Sequence, residues 1–165
     1  HLSAVAAALA YNVGLKSTVA SAVPYAYAFG ALPAFVTLGR TGSPAPPGWA
    51  LAAGALMGVG AHFVNTLPDR AADEVTGVRG LPQRLPATLA VVIGVALLSS
   101  AALVVTLAPP GKSSATNVWF SAAALVSSAA VVGAVLVGRH RLAWSLTIAV
   151  AGITVSGFIV SDSTL

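Results

Sequence analysis

The sequence predicts an all-α protein, a polytopic bundle of membrane helices. Three observations carry that reading. Apolar residues make up 57% of the chain and charged residues 7%, with a mean hydropathy of +0.90. Soluble domains carry roughly 25% charged residues, so too little charge remains here to cover a water-facing surface. Five uncharged stretches have the length of a bilayer crossing, which needs about 20 residues. Polar segments rich in Gly, Pro and Ser separate most of them. A length of 165 residues allows one domain, and the chain reads as a single membrane domain over 1–165.

Taken in order, residues 2–15 are uncharged but short for a crossing. They read as the tail of a helix begun upstream, and the chain is expected to be a fragment. No basic segment followed by an apolar run and a cleavage site marks a signal peptide. The expected spans are about 17–39 (with Pro24 and Pro33 inside), 48–67, 87–108, 117–138 and 142–161. "GRTGSPAPPG" and "APPGKSSATN" make short turn-rich connections, and "GRHR" alone parts the last two spans. Trp49, Trp119 and Trp144 fall near span ends, where interfacial tryptophans sit.

Basic residues set the expected orientation. One set of loops holds Lys16, then Arg70, Arg79 and Arg84, then Arg139 and Arg141; the other holds Arg40 and Lys112. Six against two makes the first side cytoplasmic. The net charge of +4 does not indicate nucleic acid, because the basic residues are scattered between apolar runs and form no stripe. Cysteine is absent, which excludes disulfides, thiolate metal sites and a cysteine nucleophile.

Three of the four acidic residues lie in "NTLPDRAADEVTG", residues 65–77, within the longest expected cytoplasmic loop. Asn65, Asp69 and Asp73 are spaced i, i+4, i+8. On a helix each step of four advances about 40°, so the three share a face. Pro68 suits the first turn of a new segment, which predicts a bend near Thr66–Leu67 and a short helix carrying both aspartates. Gly77 is the expected cap. Like charges at this spacing repel, and a cation would relieve them. Mg²⁺ suits the pattern, taking one or two carboxylates plus substrate phosphates and water. Glu74 falls off the shared face and reads as a surface charge. An ordinary solvated loop is the alternative reading of the same residues.

"NTLPDRAADEVTGVRGLPQRLP" resembles the second aspartate-rich motif of the UbiA superfamily of intramembrane prenyltransferases. Asn65, Asp69, Asp73, Gly77, Arg79, Leu81, Pro82, Arg84 and Leu85 match it; Thr66 stands where many relatives carry Asp. "AYNVGLKST" is similar to the family's Tyr-x-x-x-Leu-Lys segment through Tyr11, Leu15 and Lys16, with Ser17 in place of a basic residue. The resemblance covers nearly the whole chain but only the latter part of a family member. It implies a fold of about nine spans, of which this chain would supply the end of the fourth and the fifth to ninth. The family's first aspartate motif, and the missing N-terminal half that carries it, would then lie upstream.

The resemblance implies Mg²⁺-dependent transfer of a polyprenyl group from a prenyl diphosphate to a lipophilic acceptor, an aromatic acid or quinone precursor, within membrane lipid. Asp69, Asp73 and Asn65 would hold the metal, and Asp69, Asp73 and Lys16 would serve catalysis. Tyr11, Lys16, Asn65, Arg79 and Arg84 would bind the diphosphate, the arginines through their forked donors. Lys16, Arg79 and Arg84 can also be read as topology signals alone. Arg70 reads as facing lipid headgroups, Arg139, His140 and Arg141 as a cytoplasmic anchor, and Tyr25, Tyr27 and Phe29 as packing residues. His62, one turn before Asn65, is either a packing histidine or a functional one.

Three rivals remain. A CDP-alcohol phosphotransferase needs an Asp-Gly-x-x-Ala-Arg segment, and none precedes Asp69. A permease or a structural membrane protein is the non-enzymatic alternative; a permease places polar groups near the midplane, whereas these acids sit at a membrane face. A phosphoribosyltransferase acting on a lipid phosphate, from the same superfamily, shares the motif.

Overall fold

The computed structural model describes residues 2–42, 44–111 and 114–160, and these are all-α. Eight α-helices and two 3₁₀ turns follow in order among them. They are α1 (Leu2–Val13), a turn at Leu15–Ser17, α2 (Val23–Gly30), α3 (Leu32–Leu38), α4 (Gly48–Asn65), α5 (Arg70–Thr76), a turn at Pro82–Arg84, α6 (Ala87–Leu107), α7 (Ala115–Leu136) and α8 (His140–Val160). Lys112 and the end of the last expected span, at Ser161, lie outside the described residues.

Helices α6 and α7 are each long and apolar enough to cross a bilayer, and α4 with α5 forms a further pair bent by 80°. Such helices fit a membrane protein. Lipid leaves no partner for a free backbone group, and a helix satisfies its own. The stretch expected as a first span at 17–39 is divided instead, and the apolar part, Val23–Leu38, is shorter than a crossing helix. Pro24 and Pro33 each sit in the first turn of their helix, α2 and α3. Proline lacks the N–H that would continue an earlier helix and is preset for starting a new one.

The core lies between α6, α7 and α8. Val91, Val95, Leu98 and Ala102 of α6 recur every three or four residues, and they pack with Val131 of α7 and Val150 of α8. Two buried hydroxyls of α8 turn back onto their own helix: Thr147 Oγ1 donates to Ala143 O and Thr154 Oγ1 to Val150 O, both at 2.9 Å. This is how Ser and Thr are satisfied in apolar surroundings. Ser114 Oγ caps α7 by accepting from Asn117 N–H at 3.1 Å.

Helix α4 packs against α2 on one side and α6 on the other. Its "GALMG" stretch meets α2 at backbone distance. A Cβ on Gly54 would stand 2.5 Å from Phe29 O, and one on Gly58 would stand 2.4 Å from Tyr25 O. Small residues permit this close approach, which replaces the hydrophobic drive that lipid cannot supply. The contact fixes Tyr25 beside the end of α4, where the polar residues gather.

Candidate functional site

The bend after α4 places Asp69 and Asp73 in one cleft with Lys16. Helix α4 stops at Asn65, and α5 begins at Arg70. Asp69 is the cap residue of α5, and Asp73 lies one turn on, its N–H donating to Asp69 O at 2.8 Å. Gly77 ends α5 with a left-handed φ of 75°, and Val78 N–H reaches back to Asp73 O at 2.9 Å. Glycine takes that conformation without strain, and the pair of features terminates many helices. The Asp69 side chain makes no capping bond to α5, so its carboxylate is not used up by the helix end.

A cleft of about 280 Å³ opens at this bend. Asp69 and Asp73 line it from α5 and its cap, and Asn65 and His62 from α4. Tyr11 of α1, Lys16 of the first 3₁₀ turn and Tyr25 of α2 close the far side. Five of the expected site residues, Tyr11, Lys16, Asn65, Asp69 and Asp73, therefore meet in one place. Arg79 and Arg84 do not line it. Arg84 Nε donates to Arg79 O at 2.9 Å, and its Nη2 to Ser17 O at 3.4 Å. It ties the loop after α5 to the 3₁₀ turn carrying Lys16.

An aromatic wall backs the charges. Tyr25 stacks on His62 with ring centres 4.4 Å apart, and Tyr11 meets Tyr25 edge-on at 5.2 Å. His62 is 1% exposed, and its Nε2 lies 3.0 Å from Ser21 Oγ. Ser21 Oγ also accepts from Leu81 N–H at 2.9 Å. His62 is thus a partnered, stacked residue joining α4 to the loops that frame the cleft.

Arg70 departs from its expected place at lipid headgroups. Its guanidinium donates to Pro82 O and Gln83 O at 3.2 Å and to Leu85 O at 2.6 Å. The rigid five-donor fork suits such a set of carbonyls, and it clamps the 82–85 loop onto α5. The clamp delivers Gln83, whose Nε2 donates to Asp73 Oδ2 at 2.7 Å. From α8, Trp144 Nε1 donates to Asn65 Oδ1 at 3.2 Å. Sequence reasoning missed Gln83, Ser21 and the reach of Trp144. The one available signal for Gln83 was Pro82, which starts a turn and brings the chain back towards α5.

A second concavity of about 790 Å³ is lined mainly by small and apolar residues such as Ala4, Leu32 and Phe35. Tyr27 borders it while Tyr25, two residues earlier on α2, borders the cleft. A polar cleft and an apolar groove share one helix.

The donor set can be tested against Mg²⁺. No group of three or more His, Asp or Glu side chains gathers among the described residues. Two carboxylates on one cleft still fit this ion, which fills its other positions with phosphates and water. Asp73 spends one oxygen on Gln83, and Asp69 spends none on its helix. Asn65 Oδ1, also an expected metal ligand, accepts from Trp144 and keeps its second lone pair. No protein-family model, no curated protein and no solved structure matches this chain.

Proposed function

We propose that this chain takes part in Mg²⁺-dependent transfer of a polyprenyl group from a prenyl diphosphate to an aromatic or quinone-precursor acceptor in the membrane. One observation carries the reading. Tyr11, Lys16 and the pair Asp69 and Asp73, from three separate segments, line a single cleft at the polar end of an apolar bundle. A substrate with a charged head and an apolar tail suits that cleft and an apolar groove that shares helix α2 with it.

Asp69 and Asp73 would hold Mg²⁺, which when bound stabilises the negative charge of the departing diphosphate. Lys16 and Tyr11 would donate to diphosphate oxygens, and Asn65 would donate through its amide N–H₂. In the transfer, the allylic C–O bond breaks with its electron pair leaving on the diphosphate. The acceptor carbon forms the new bond and then loses a proton. Tyr11 and Tyr25 offer ring faces, which attract positive charge, near the reacting carbon. A first aspartate motif would come from a preceding part of the same protein. The proposed setting is a multi-pass protein of the cell membrane with the cleft on the cytoplasmic side, where six of the eight basic residues fall.

The deciding experiment is diphosphate release from an allylic prenyl diphosphate, using the complete protein in lipid nanodiscs over a Mg²⁺ titration. Release should require Mg²⁺ and disappear in Asp73→Asn. Release from phosphoribosyl diphosphate with a lipid phosphate acceptor would assign the related transfer instead. A folded protein that cleaves neither donor sinks the enzymatic reading.

A further inference from the structure

We infer that Gln83 is the positioning residue for Asp73: its amide holds one carboxylate oxygen and leaves the other for a divalent cation in the cleft. The inference rests on the metal-dependent reading above. Three observations carry it. Gln83 Nε2 donates to Asp73 Oδ2 at 2.7 Å, and both residues line the cleft. An ionised carboxylate only accepts, so the amide must turn its N–H₂ towards Asp73. That orientation holds although Gln83 Oε1 is then buried with no partner, an arrangement that costs stability.

The second observation is the support behind the amide. Arg70 donates to the carbonyls of Pro82, Gln83 and Leu85, so the loop cannot drift from α5 without breaking three bonds. Arg70 is itself the first residue of α5, and Asp73 lies one turn on. The carboxylate and the amide that aims it therefore move together.

The third is chemical. A lysine or arginine in this place would pair with Asp73 and cancel the charge a cation needs. A neutral amide fixes geometry and leaves the charge in place. Side chains that orient metal-binding carboxylates in this way typically account for about tenfold or more in metal affinity.

The test is Mn²⁺ binding to the complete protein in detergent, followed by electron paramagnetic resonance, with Mn²⁺ as the probe for a divalent cation. Gln83→Met keeps the length of the side chain and removes the donor. It should weaken Mn²⁺ binding about tenfold while the metal-free unfolding temperature stays at the wild-type value. Asp73→Asn should weaken binding at least as much. Unchanged affinity in Gln83→Met, beside a clear loss in Asp73→Asn, overturns the role of Gln83 and leaves the metal reading standing. A Gln83→Met protein that unfolds at lower temperature without metal, or fails to fold, makes Gln83 a structural residue and also overturns the inference. A wild-type protein that binds no Mn²⁺, or Asp73→Asn that binds it normally, removes the metal reading and this inference with it.

Discussion

Trp144 donates its indole N–H to Asn65 Oδ1 at 3.2 Å, across 79 residues of sequence. An indole nitrogen can only donate, so the contact fixes which way the Asn65 amide faces. Its oxygen is turned to α8, and its N–H₂ is the group left to meet a ligand. The start of α8 is thereby tied to the end of α4, and the last helix of the chain takes part in shaping the cleft.

Trp144→Phe keeps a ring in place and deletes the donor. The Asn65 amide is then free to rotate. Binding of inorganic diphosphate with Mg²⁺ should weaken about threefold to tenfold, near the worth of one hydrogen bond. Titration calorimetry of the two proteins measures this. Equal affinity would mean that the orientation of Asn65 has no bearing on the ligand.

Asp69 and Asp73 should carry chemistry, whereas Glu74 should not. Glu74 is exposed and does not line the cleft. Asp69→Asn and Asp73→Asn should each lower prenyl transfer at least about a hundredfold, a barrier increase near 2.7 kcal/mol. Glu74→Gln should stay within about threefold of wild type, under 1 kcal/mol. Similar losses at all three positions would return this stretch to an ordinary charged loop.

Arg70 of α5 and Arg84 of the following loop should behave differently. Arg70→Met removes three partly buried hydrogen bonds to carbonyls, each worth about 1 kcal/mol or more with a charged donor. Arg84→Met removes two exposed bonds, which water replaces at little cost. Hydrogen exchange at residues 82–85 should rise sharply in the first variant and change little in the second. The opposite order would show that the loop is not held by Arg70.

Gly58→Ala should destabilise the contact between α2 and α4, since its Cβ would stand 2.4 Å from Tyr25 O. Overpacking of this kind costs about 1–3 kcal/mol, and thermal unfolding in detergent reads it. Gly133 of α7 has nothing within 4 Å of an added Cβ. Gly133→Ala should leave the unfolding temperature unchanged or raise it, because alanine is the better helix former. A Gly58→Ala protein as stable as wild type would mean that α2 is not seated as described.

The helical character and the place of the bend were legible because each has a local cause. Long uncharged runs give α6 and α7, and the spacing of Pro68 and Gly77 frames α5 between Arg70 and Thr76. The division of 17–39 was written in Pro24 and Pro33, but hydropathy counts the length of an apolar run and passes over the break inside it. The site was legible where it rests on charge: Lys16, Asp69 and Asp73 are rare residues in this composition. Gln83, Ser21 and Trp144 were not, because their roles depend on which loop folds back onto which helix. The forked donors of Arg70 looked like a topology signal for the same reason. Its partners are carbonyls, which leave no trace in side-chain identity.

The hydroxyls of Thr147 and Thr154, satisfied by the carbonyls of their own helix, bear on how the protein is made. Such groups bring their partners with them and need no neighbour on entering lipid. α8 can therefore form as a helix before it meets α7, and pairing can follow as a separate event. Shape then helps to select the correct neighbours, with Val and Leu packed against one another and Tyr25 and Phe29 against the bare backbone of α4, and the Trp144–Asn65 hydrogen bond adds to it.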